Sequence, residues 1–245
     1  MTAPPMIRTL MMTLLLVAAS ASGRDAMSDA DKVFSNPQTM ALAQAAAGGD
    51  VARLRTLATQ GAHLDATGDH DVTLLQWALL RQDLTAMKAL LDAGADPSLP
   101  GLGGDTVLHL AAKANDPRYL ALLLDHGADP NAPHGITHAP PLDAALMNPQ
   151  NDNFELLLVH HADPNRSDRM GNTPLHVAAQ VHKSHCVLAL LKAGADPTRR
   201  NQHGDTFQVY FNILPAGGLN PEAKATHDAV HRWLQEHHVA LERAT

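Results

Sequence analysis

Apolar positions along this chain come in short paired bursts. A burst such as Leu175-x-Val177-Ala178 is followed, after a few polar residues, by a second one built on a leucine pair or triplet. Those pairs and triplets are Leu90-Leu91, Leu122-Leu123-Leu124, Leu156-Leu157-Leu158 and Leu190-Leu191. Steps of three and four positions within the bursts predict short helices with one apolar stripe each, taken two at a time. The punctuation is as regular as the bursts. Thr73, Thr106, Thr173 and Thr206 open the first helix of a pair, 33 or 34 residues apart once Pro140 stands in for a missing threonine. Gly61, Gly94, Gly127, His161 and Gly194 close the second helix at intervals of 33, 33, 34 and 33 residues. Two landmarks keeping one period make an internal repeat, in which each unit exposes apolar faces that only a like neighbour can bury.

Within a unit the residues have distinct local roles. Thr173 can accept hydrogen bonds from first-turn N–H groups, and Pro174 sits where a missing N–H costs nothing. His176 can share the capping, and Gln76, His109, Asp143 and Gln208 hold the same slot in the other units. Gly94, Gly127 and Gly194 supply a left-handed stop, after which Asp-Pro turns the chain into a connection of about ten residues. The fourth unit is irregular: it is one residue longer between Pro133 and Pro140, and it puts His161 in the glycine position. It also holds Asn153 where its siblings place Ala86, Tyr119 and Cys186. Helices over 38–47 and 51–60, the second capped by Asp50, form a first pair without the threonine opening. The last unit departs from the pattern through Pro215-Ala216-Gly217-Gly218, and an amphipathic helix from Pro221 to about Leu241 closes the chain with Ala225, Val230, Trp233 and Leu234 on its apolar side.

The opening Thr-Pro-Leu-His-x-Ala-Ala at Thr173–Ala179, its variant at Thr106–Ala112 and the close Gly-Ala-Asp-Pro-Asn at Gly127–Asn131 resemble the ankyrin repeat. The resemblance covers residues 36 to about 240 and implies an all-α solenoid of about five to six repeats including caps: stacked helix pairs with projecting β-hairpin fingers. It also implies a partner protein held by the concave face and fingers, at positions that vary between units. These are His70, Val72, Leu80 and Arg81 in the second unit and Leu102, Asp105 and Lys113 in the third. Ile136, Thr137, Met147 and Asn148 follow in the fourth, then Arg169, Met170, Asn172, Gln180 and Val181 in the fifth. Leu80, Leu102, Ile136, Met147, Met170 and Val181 are apolar where water contact is expected, so they would form an exposed strip that asks for a partner. The alternative for Leu80 and Val181 is packing between repeats.

Composition narrows the class. The formal charge of −7 disfavours nucleic acid and anionic membranes, and aromatic residues at 3% supply no stacking platform. The single cysteine, Cys186, excludes an intrachain disulfide, and its alignment with Ala86 and Tyr119 points to core filling. Trp77 aligns with Leu110 and Val177, favouring packing between repeats. Arg8, the apolar run Leu10–Ala19 and the small residues Ala19-Ser20-Ala21 read as an export signal over residues 1–21. A mobile leader over 22–35 and the repeat domain over 36–245 would follow, in a monomeric protein of the bacterial periplasm. Sixteen histidines raise a second reading, an envelope metal-binding protein using His227 and His231, four apart on one helix face; His182 with His185 and the adjacent His160 and His161 are weaker pairs. The bland account is that these histidines cap helices or lie on solvated faces, so no metal or other cofactor is expected. Arg199 and Arg200 share the fingers with Arg166 and Arg169, as a basic patch for an acidic partner surface or as a solvated face. No Gly-x-Ser-x-Gly elbow, phosphate loop, dinucleotide fingerprint or His-Glu-x-x-His occurs, so no enzymatic activity is expected. The binding role fits an immunity protein covering a secreted toxin or a helper of a periplasmic enzyme.

Overall fold

A computed structural model of the chain describes residues 30, 32–148, 150, 152–213 and 221–242. The expected export signal, most of the expected leader and the Pro215–Gly218 departure lie outside the described residues. Paired helices run α1 (Pro37–Ala47), α2 (Val51–Thr59), α3 (Leu74–Leu80), α4 (Leu84–Ala93), α5 (Val107–Lys113), α6 (Pro117–Asp125), α7 (Pro141–Leu146) and α8 (Asp152–Val159). Then come α9 (Pro174–Gln180), α10 (Ser184–Lys192), α11 (Phe207–Phe211) and α12 (Pro221–Glu236). Contacts group them into two compact units. The first runs to Ala111 and includes Arg118–Ala128; the second is Ala112–Pro117 with the chain from Asp129 on.

In the first unit α1 packs on α2 and α4, and α3 packs on α4. The leucine bursts do what their spacing suggests: Leu42, Leu54, Leu74, Met87, Leu90 and Leu120 are fully buried. Trp77 is buried too, with the ring of Phe34 edge-on to it at 5.9 Å. Ala30 and Phe34 are therefore core residues, tied by a Phe34 N–H bond to the Ala30 carbonyl (2.8 Å), and the leader expected over 22–35 does not include them. Burying that aromatic ring outweighs the polar neighbours from which mobility was inferred.

In the second unit α7 packs on α8 and α9, α9 on α10 and α11, and α10 on α12. Leu142, Leu157, Val187, Leu190, Phe207, Val230 and Leu234 fill its core. His161 takes the left-handed conformation (φ 62°) that Gly94 (104°), Gly127 (79°) and Gly194 (93°) take in the other units. A side chain there costs on the order of 1 kcal/mol. The last helix stops at Glu236, short of the expected Leu241, because the tail has partners elsewhere. The Gln208 Nε2 donates to the Ala240 carbonyl (3.0 Å), and the Glu242 N–H donates to the Gln208 Oε1 (3.1 Å).

The expected β-hairpin fingers are tight turns rather than strands. Among the described residues the only strand-like pairing is an isolated bridge between Thr67 and Thr73. Each finger is closed across its base by one backbone bond, from Gly68 to Val72, Gly101 to Asp105, Asp168 to Asn172 and Asn201 to Asp205, with a tighter turn bond inside it. His134 to Ala139 closes the fourth, one residue wider, which is where its extra residue goes. Arms this short leave no room for a ladder.

Candidate functional site

In α3 and α9 the slot residue ties the first helix of a pair to the following finger. In α3, Thr73 and Gln76 form a reciprocal capping box, and the Gln76 Nε2 continues to the Asp105 carbonyl at 2.7 Å while its Oε1 accepts from the Leu102 N–H at 2.9 Å. In α9 the His176 Nδ1 accepts from the Thr173 N–H (3.2 Å) and Nε2 faces the Asp205 carbonyl at 3.0 Å. Those partners assign the proton to Nε2. Burial lowers the pKa of His176, the Asp205 carbonyl acting the other way, so the neutral ring that this double role requires is favoured.

The fourth unit breaks this device. Pro140 offers neither the N–H nor the hydroxyl that threonine gives its slot partner, and Asp143 is too short to reach onward as glutamine does. Its buried Oδ1 has no hydrogen-bond partner, and burial, with the charge of Asp168 adding, pushes the carboxyl well above the usual carboxylate range. A different network compensates nearby. Asn153 Nδ2 reaches the carbonyls of Ala112 (3.2 Å) and Ala114 (2.7 Å), Asn148 Nδ2 reaches Lys113 (3.3 Å) and Ala114 (2.7 Å), and Lys183 Nζ donates to the Asn148 carbonyl. The oddity of Asn153 was visible in the alignment of the repeats; the roles of Asn148 and Lys183 were not.

The fingers of the second unit form one row. The Arg169 N–H donates to the Thr137 carbonyl (2.8 Å) and the Gln202 N–H to that of Met170 (2.9 Å), while Gln202 Nε2 holds the Arg169 carbonyl (2.7 Å). Ile136 is 57% exposed and Met170 37% on this row, and Met147, just past the end of α7, is 55% exposed. Arg169 and Gln180 are exposed as well, Thr137 and Asn172 are half-buried, and Val181 is half-buried at the end of α9.

The sequence-derived strip does not survive whole. Leu102 is buried (7% exposed), because left-handed Gly103 and Gly104 close its finger and the Leu102 N–H is held by Gln76. Val72 and Asn148 are buried, so neither offers a contact surface. Leu80 is half-buried and, with His70, lines a cavity of about 70 Å³ beside Trp77. Arg81 lies 5.2 Å over the Trp77 ring, so that guanidinium serves the fold. Asp105 is half-buried with its carbonyl used by Gln76, whereas His70 and Lys113 are exposed. The exposed apolar positions that remain, Ile136, Met147 and Met170, all belong to the second unit. Val159 and Ile213 are exposed too; isolated surface residues of this kind are ordinary.

The histidine pair has a different job from the one its spacing suggests. His227 is buried and stacks flat on Phe211 at 4.4 Å, with both ring nitrogens sealed from solvent and without hydrogen-bond partners. His231 lies 4.7 Å away, and burial, then the His231 charge, lowers the pKa of His227. Chelation by the pair would need α12 to lift. Among the described residues no three His, Cys, Asp or Glu side chains come together for a metal. Cys186 is a buried thiol whose pKa burial pushes up to about 12, which suits core filling rather than reactivity. No helix among the described residues is long and apolar enough to cross a membrane.

The family described as ankyrin repeats (3 copies) matches residues 42–134 and 108–201. Protein PhlB of Serratia liquefaciens is 39% identical over 166 residues, 68% of this chain and 73% of that one. The crystal structure of the ankyrin repeat domain of Bcl-3, of the IkappaB protein family, is similar with a TM-score of 0.61 and 30% identity, over 71% of this chain and 77% of that one. A chain in the structure of the Bd0816 predatory endopeptidase from Bdellovibrio bacteriovorus in complex with immunity protein Bd3460 has a TM-score of 0.57 at 24% identity, over 78% of this chain and 97% of that one. The last likeness speaks for the fold alone.

Proposed function

The chain belongs to the ankyrin repeat family, and we propose that it binds a partner protein through the finger row and the adjoining face of its second unit. The observation that supports this is the exposure of Ile136, Met147 and Met170 while the leucine and valine positions of the same unit's core are sealed. Large apolar side chains kept at the surface of consecutive repeats are expensive to leave in water and become useful when a partner covers them. The fourth unit, which carries two of the three, also gives up the repeat's capping box. A surface of this kind presents shape and contact area, and the reading assigns it no catalytic step.

The setting we propose is the bacterial periplasm, on the strength of Arg8, the apolar run Leu10–Ala19 and the small residues before residue 22. The protein would act there as a monomer, masking a secreted toxin as an immunity protein or supporting a periplasmic enzyme. A similar fold occurs in the structure of an endopeptidase in complex with an immunity protein, with which the first role is consistent. Charging the surface tests the proposal: Ile136→Glu with Met170→Glu should lower partner affinity by at least about 100-fold at unchanged helical content. The readout is pull-down from envelope extract with mass spectrometry, followed by titration of the recovered partner. Undiminished capture of that partner by the double variant would overturn the assignment of the surface.

A further inference from the structure

The fingers of the two units differ in charge. In the first unit, residues 66–72 and 97–105 contain no Lys or Arg and three aspartates, Asp69, Asp71 and Asp105. In the second unit, residues 130–139, 164–172 and 197–205 contain four arginines and two aspartates, Asp168 and Asp205. Those two carboxylates are engaged inside their own fingers. Asp168 Oδ1 accepts from the N–H groups of Met170 and Asn172, both at 2.8 Å, and Asp205 Oδ2 accepts from the Tyr210 hydroxyl at 3.0 Å. The corner carboxylates Asp163 and Asp196 likewise accept from the N–H groups of Asn165 and Thr198. Of the arginines, Arg200 is paired with Glu242 at 2.9 Å. Arg166, Arg169 and Arg199 are exposed and make no ion pair among the described residues.

Guanidinium groups and apolar side chains therefore share one backbone-bonded row, on a chain whose formal charge is −7. We propose that the finger row of the second unit, with Arg166, Arg169 and Arg199 on the same fingers as, or on fingers bonded to, those of Ile136 and Met170, recognises a protein loop that sets Asp or Glu side chains beside an apolar residue. This deepens the protein-binding reading and rests on it. Arginine forks match carboxylates in planar, two-bond geometry, which gives a preference for acidic loops over merely apolar ones. A nucleic acid or an anionic membrane fits less well: the whole-chain charge repels an extended polyanion, and the three finger segments contain no Phe, Tyr or Trp for a base to stack on.

The test is panning of a displayed library of disulfide-closed random peptide loops against the full chain, with anionic phosphatidylglycerol vesicles and single-stranded DNA as parallel probes. The expected loops are enriched in Asp or Glu next to an apolar residue. Their affinity should fall at least tenfold in the Arg166→Glu, Arg169→Glu, Arg199→Glu variant, and should weaken as salt rises. Selected loops without acidic enrichment, no selected loops, or retention of vesicles or DNA instead would overturn the proposal. Loops that bind the triple variant unchanged but lose the Ile136→Glu, Met170→Glu variant would overturn the acidic preference alone and leave the protein-binding reading standing. Insensitivity to both variants would remove the row from partner binding altogether. Thermal melts matching the parent chain confirm that each variant is folded.

Discussion

At the scale of single residues, the fourth unit shows how one substitution can undo another residue's purpose. Asp143 occupies a slot in which glutamine and histidine serve as donors to the following finger, yet Pro140 has removed its local partners and its reach is too short for the distant one. A buried carboxyl in that position resists ionisation. Its folded pKa lies above the ordinary value of 3.8, so its contribution to stability is greatest below that value and is lost as pH rises through the folded pKa. Replacing it by the donor its siblings use, Asp143→Gln, should stabilise the protein at neutral pH by on the order of 1–3 kcal/mol. Thermal melts should show that gain at about pH 7 and a much smaller one at about pH 3, below the ordinary value of 3.8, where the wild-type carboxyl is protonated in both states. Equal gains at both pH values would mean that Asp143 is not the titrating group.

At the scale of elements, the chain's end does the work of a finger. On Gln76 and His176 the bond beyond the capping box goes to the next finger; Gln208, two positions after its threonine rather than three and outside any capping box, donates to the carbonyl of Ala240. Glu242 completes the imitation, accepting from the Thr206 hydroxyl (2.6 Å) and from Arg200, while its carbonyl takes the Asn212 Nδ2 (2.9 Å). Helix α11, only five residues long, would not persist alone, since isolated helices of that length are unstable, so these tail bonds hold it together with its buried Phe207 and Phe211. Glu242→Ala should therefore cost about 1–2 kcal/mol and raise amide hydrogen exchange in α11. Exposed Glu236→Ala serves as the control, and matching exchange in the two variants would show that the tail is ornamental.

For the molecule as a whole, contacts gather into two units, each with its own sealed core, and repeat arrays hold together through neighbour-to-neighbour terms. Damage should then stay local. Leu157→Ala, at a fully buried position of α8, removes packing worth roughly 2–5 kcal/mol. Hydrogen exchange should accelerate first in α7–α10, with α1 and α2 keeping more of their protection. Uniform acceleration over the described residues would show instead that the two units unfold as one.

What the sequence determined by itself is everything carried by period and local chemistry. Helix starts at threonine or aspartate caps, helix stops at glycine or at His161, the alternation of leucine bursts and the extra residue of the fourth finger all follow from short-range rules acting within a few positions. The existence of Ile136 and Met170 as exposed apolar side chains was legible for the same reason, because both lie on turns outside the periodic stripes. What only the tertiary structure decided is which side chains meet in the packed array. Leu102 turns inward because its finger folds on two glycines and Gln76, and Arg81 settles over Trp77. Asn148 disappears into a network with Asn153 and Lys183, and His227 stacks on Phe211 instead of facing solvent. Each of these outcomes depends on a partner roughly 4 to 35 positions away, and a repeat pattern specifies that a neighbour is there without specifying which atoms it presents.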